Sequence, residues 1–103
     1  MALHLFLAKD DASSSTRLLT DGAGVIDDLI LGIKDLGGYV HSLAVTSGDY
    51  TLVGFVDVPD GTAAVAFGLT QAALGRHVNL IPAVAVQNWP QLISAASLIK
   101  VAP

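Results

Sequence analysis

"YVHSLAVTSGDYTLVGFVDV", residues 39–58, decides how the chain folds. Two runs rich in β-branched and aromatic residues flank Gly48-Asp49, and Gly with Asp suits the centre of a hairpin turn, because primed turns need φ > 0. With that pair at the centre, the register predicts Val45 opposite Leu52, Leu43 opposite Gly54, His41 opposite Val56 and Tyr39 opposite Val58 on one face. The other face then carries Thr46 with Thr51, Ala44 with Val53, Ser42 with Phe55 and Val40 with Asp57. A slip of one residue would exchange the two faces wholesale, so the assignment stands with the turn.

Working outward, Leu3, Leu5 and Leu7 alternate with His4, Phe6 and Ala8, the period-two pattern of a first strand. The polar segment from Lys9 to Thr20, with three serines in a row, predicts an exposed loop, read either as a lid or as a plain connector. From Asp21 the period changes: Val25, Ile26, Leu29, Ile30, Ile33 and Leu36 form the apolar stripe of a helix, with Asp21 as its N-cap and Gly37-Gly38 as its stop. Beyond the hairpin, Pro59-Asp60-Gly61 forms a loop in which Asp60 is placed to cap a second helix from Thr62 to about Leu74, ended by Gly75. A fourth strand is expected from about Val78 to Val86, and Trp89-Pro90 opens a short C-terminal helix. The expected fold is α+β: one ferredoxin-like βαββαβ domain over residues 1–103, a four-stranded antiparallel sheet with its helices on one face, plus the terminal helix.

At 103 residues the chain has the length of a single domain that buries roughly two-thirds of its unfolded surface. Hydrophobic residues make up 52 % and charged residues only 14 %, whereas ordinary globular domains carry about 25 % charged residues. So few charges leave apolar surface that a partner would cover. The face carrying Val53 and Phe55, joined by His4 and Phe6 from the first strand and Ile81 from the last, is the expected open side of the sheet, and a second copy of the chain is the expected cover. The net charge is −4, and the five basic residues are scattered, so no basic patch points to nucleic acid. The absence of cysteine removes thiolate chemistry and suits a reducing cytoplasm. The apolar opening is too short to span a bilayer and lacks a basic flank, so no membrane partner is expected.

The run "LGGYVHSLAVTSGDYTLVGFVDVPDGTAAVAFGLTQAALG" (36–75) resembles the GYD-domain family of small bacterial and archaeal proteins. Leu36-Gly37-Gly38, Gly48, Tyr50, Pro59-Asp60 and the helix through Leu74-Gly75 match that pattern in order and spacing. The chain departs from it at the motif's Asp, where Thr51 stands, and in its bland last strand, Asn79 to Val84. The family has no settled activity, so the resemblance implies a fold and not a reaction.

Site chemistry is sparse. His4, His41 and His77 lack the tight spacing of metal ligands, so neither a metal nor a cofactor is expected. Ser47, Asp49 and His41 make a poor triad, because His41 lies some 20 Å back along a strand rising about 3.3 Å per residue. Asp10-Asp11 and Asp27-Asp28 read as solvated pairs. His4, Thr46, Tyr50, Thr51, Phe55 and Asp57 are the candidate ligand-binding residues, with His4 on the open face and His41 under the helices. The expected function is a homo-oligomeric small-molecule-binding or accessory protein, its pocket on the open sheet face and its ligand small and apolar or of mixed polarity. Two other classes stand beside it. One is a cofactor-free enzyme of the dimeric α/β-barrel sort, with His4, Tyr50 or Asp57 as acid/base; the other is a purely structural interaction protein.

Overall fold

The computed structural model describes residues 2–59 and 61–99. The alternating first segment forms β1 (Ala2–Asp10), followed by helices α1 (Ala12–Thr20) and α2 (Gly22–Asp35). The hairpin is β2 (Tyr39–Val45) and β3 (Leu52–Val58); then come α3 (Thr62–Ala73), β4 (Arg76–Pro82), a single 3-10 turn (Val86–Asn88) and α4 (Trp89–Ser97). The four strands make one antiparallel sheet in the order β2-β3-β1-β4. The architecture is α+β.

The helix periodicity acts as its pattern predicts. Leu29 and Ile33, one turn apart on α2, and Phe67 on α3 pack onto Phe6, Ala8, Leu52, Val56 and Val58 from the central strands, and this cluster is the core. Both helices therefore cover the same side of the sheet. Asp21 caps α2 by accepting a hydrogen bond from the Gly24 amide at 3.3 Å. The Asp60 cap falls outside the described residues; Gly61 stands at the N-cap position of α3 and makes no side-chain cap.

Two element boundaries differ from expectation. The serine-rich segment is a helix, because Asp11 caps it through the Ser14 amide at 2.8 Å and Ser14 is pulled into the interior by the Asp10 carboxylate. The last strand begins two residues earlier than expected and stops at Pro82, since a proline has no N–H with which to continue a ladder.

The hairpin turns where the glycine predicts. Gly48 has φ 104°, and the Thr46 amide donates to the Thr51 carbonyl at 2.8 Å. Val45 pairs with Leu52 and Leu43 with Gly54, as the turn requires. Beyond Ser42 the register shifts: Val40 lies opposite Val56 and Tyr39 opposite Asp57, with His41 as the extra residue of a β-bulge. The pairings expected for His41 with Val56, Tyr39 with Val58 and Val40 with Asp57 are therefore wrong. Gly54 permits the distortion, since a Cβ there would stand 2.1 Å from the Ser42 carbonyl oxygen.

The first strand is also turned over relative to expectation. His4, Phe6 and Ala8 pair with Val56, Gly54 and Leu52 and are buried beneath the helices, which leaves Leu3, Leu5 and Leu7 on the open side. Phe6 is large and His4 polar, and the helix side accommodates both. Phe6 is completely buried in the core, and His4 donates its Nδ1 proton to the Ala2 carbonyl at 2.9 Å.

Candidate functional site

The open face of the sheet is a floor of three rows. Ala44, Val53, Leu7 and Asn79 form the first, and Ser42, Phe55, Leu5 and Ile81 the second. Tyr39, Asp57 and Leu3 form the third, extended by Ala83, whose amide donates to the Leu3 carbonyl at 3.0 Å. The middle of this floor is apolar and in contact with solvent, with Phe55 43 % and Ile81 46 % exposed.

Chemistry collects at the third row. His41 Nε2 stands 3.0 Å from Asp57 Oδ2, and the Tyr39 ring meets the imidazole edge to face at a centroid distance of 4.9 Å. The bulge produces this grouping, because an unbroken ladder would have turned His41 under the helices. The contact to Asp57 requires a proton on Nε2, so in neutral His41 the free Nδ1 is an acceptor. A carboxylate that orients an imidazole, with the second nitrogen free, can bind a hydroxyl or N–H donor or take up a proton.

The candidates named from sequence do not converge. Phe55 and Asp57 lie on this floor. Thr46, Tyr50 and Thr51 lie at the hairpin end of β3, and a seven-residue strand rising about 3.3 Å per residue separates them from Asp57 by roughly 20 Å. Thr46 closes the hairpin through its hydroxyl, which donates to the Tyr50 carbonyl at 2.7 Å. His4 is on the far side of the sheet. Continuous pairing assigns His41 and Tyr39 to the helix side, because a register shift leaves no mark in residue types; Gly54 in mid-strand is the available signal.

A second concavity lies on the helix side, a cavity of about 390 Å³ among α1, α2 and α3. Two of its lining residues, Arg76 and Gln71, belong to a buried polar network. Asp10, whose side chain is fully buried, accepts from Arg76 Nε and Nη2 at 3.0 Å each, from the Ser14 hydroxyl at 2.7 Å and from the Thr51 hydroxyl at 2.8 Å. Arg76 also donates to Gln71 at 3.2 Å. Burial pushes the Asp10 carboxyl up, but the hydrogen bonds from Arg76, Ser14 and Thr51 and the adjacent guanidinium charge outweigh it, and the group is held below the usual carboxylate range. Asp10 is thus a structural lock and not a solvated carboxylate as its sequence neighbourhood suggested. On the open face, by contrast, the His41–Asp57 pair is not part of the core, which makes that face the candidate site.

Among the described residues no group of His, Asp or Glu side chains could hold a metal ion, and no helix is long and apolar enough to cross a membrane. No family model matches the sequence, and neither the characterised proteins nor the solved structures include one that matches it.

Proposed function

We propose that the chain is a ferredoxin-like domain of the GYD type that binds a small, mainly apolar molecule on its open sheet face, in a pocket completed by a second copy. The strand order β2-β3-β1-β4, with α2 and α3 on one side, supports the ferredoxin-like reading, α1 being an extra helix in the first crossover. One observation carries the function: an exposed apolar floor ends in a His41–Asp57 pair not otherwise engaged in the core. Binding sites are mostly apolar with a few placed polar groups, and this face has that composition.

An amphipathic aromatic probe, anilinonaphthalene sulfonate, tests the reading. It should move the ring signals of His41 in an NMR titration and leave those of His4 unmoved. Phe55→Ala and His41→Ala should each weaken binding roughly tenfold or more while the melting midpoint stays within a few degrees. Binding that ignores both substitutions would remove the open face as the site.

The same pair favours catalysis as a second reading, a cofactor-free acid/base enzyme in which Asp57 orients His41 and Nδ1 takes the proton. Asp57→Asn separates the two. Affinity is largely kept under both readings, so turnover decides: a binding protein has none to lose, whereas an enzyme turns over its substrate and Asp57→Asn abolishes that turnover.

A further inference from the structure

We infer that α4 and the segment before it form an arm that two copies exchange, each arm seating on the open sheet face of the other. The inference rests on the proposed cover of that face by a second copy and says which part of the copy supplies it. From Val84 to Ile99 the sequence has no charged residue. Trp89, Leu92, Ile93 and Ala96 fall at helical spacing on one stripe of α4, yet no residue of that helix is buried. The arm projects from the body. The chain has a radius of gyration of 15.8 Å and extents of 52 × 29 × 24 Å, where a compact chain of about 100 residues has a radius near 13 Å.

A helix with an apolar stripe and nothing to cover it is unstable as a solitary element, since most helix stability comes from packing of that stripe. The same chain holds an uncovered partner of matching character, the floor of Leu5, Leu7, Val53, Phe55 and Ile81. Arm and floor are different surfaces, so a two-fold axis satisfies both at once: each copy gives one arm and receives one. The arm leaves the sheet after Ala83, on the row that also holds Asp57, so the exchange starts beside the polar pair. A specific interface needs about 800 Å² per partner. Seven large apolar side chains on the arm (Val84, Val86, Trp89, Leu92, Ile93, Leu98 and Ile99) are at least 39 % exposed, and with the floor they provide a patch of that order. A lipid surface is a worse occupant, because interfacial helices carry a charged polar face and this one carries none.

The natural absence of cysteine makes a disulfide test clean. Phe55→Cys and Leu92→Cys are made as single variants, one with a mass tag, then mixed and oxidised under native conditions, with Val53→Cys replacing Phe55→Cys if the latter fails to fold. The expected result is a tag-shifted crosslink between the two variants in excess of either homodimer. In a double variant carrying both cysteines on one chain, a crosslink found only within the chain would mean that the arm folds back on its own sheet; in the mixture, face-to-face Phe55→Cys homodimers would mean sheets packed without arms. Either result, or no crosslink, overturns the inference. A second measurement uses the otherwise intact chain: Leu92→Asp with Ile93→Asp should raise the dimer dissociation constant roughly tenfold or more in sedimentation equilibrium, with unchanged circular dichroism. A dimer indifferent to those charges would equally overturn it. Neither readout depends on ligand, so the arm can fail while the binding face stands, and the reverse.

Discussion

Asp10 shows how one buried group ties the molecule together: its donors come from α1, from β4 and from Thr51 just before β3. Replacing it by Ala leaves Arg76 buried and unpaired, a loss of about 3–5 kcal/mol in denaturant unfolding. Its titration has a definite sign. Folding lowers the pKa, so the unfolded state binds more protons as the pH falls; the stabilisation is complete above the unfolded value of about 3.9 and drains away as the pH drops through the folded one. Asp10→Asn should therefore be less stable at pH 7 but flatter in melting temperature as the pH falls below about 4. An unchanged acid limb would mean that Asp10 is not the group responsible. At the same scale, His4 and His41 exchange the roles that continuous pairing assigned to them: His4→Ala should act on stability and His41→Ala on the open face. None of this was legible in the residue types, because Asp10-Asp11 reads as a solvated pair until Arg76, 66 residues away, is brought beside it.

At the scale of elements, the hairpin was the most readable part. Gly48 has a positive φ and open space around its missing Cβ, so the cost of Gly48→Val is conformational, about 1–3 kcal/mol read as a lowered denaturation midpoint. Gly54 is the opposite case. Gly54→Ala meets the Ser42 carbonyl, and it should destabilise the fold and also remove the bulge. The diagnostic outcome is a His41 ring that no longer senses Asp57, visible in NMR as the loss of its dependence on Asp57→Asn. Helix α1 is not legible in the residue types, for a related reason. Its three serines have low helix propensity, but the Asp11 cap and the burial of Ser14 against Asp10 supply tertiary support that propensity does not contain.

For the whole molecule, the surface is the telling quantity. Alongside the arm and the open floor, α3 leaves Val65 and Leu69 exposed at 64 % and 68 %, so apolar area faces solvent on several sides. A chain with so few charges should associate, and sedimentation equilibrium at micromolar concentration should give a dimer or a higher closed assembly. A stable mass of 10.6 kDa would defeat the dimer and the shared pocket together.

By itself the sequence determined the period of each segment, and from it the four strands, helices α2, α3 and α4, and the turn at Gly48. These are local properties: alternation, the 3.6-residue stripe and a glycine with φ > 0 depend on neighbours within a few positions. Tertiary structure alone decided which side of β1 faces the helices, that the ladder bulges at His41, and that Asp10 is buried and paired. Leu3-His4-Leu5-Phe6 alternates between two nearly equal apolar faces, so its pattern cannot rank them. A bulge changes pairing without changing composition, and a buried ion pair exists only when distant strands meet. The open-face grouping of Tyr39, His41 and Asp57 depends on that bulge, which makes it a property of the sheet and not of any single stretch of chain.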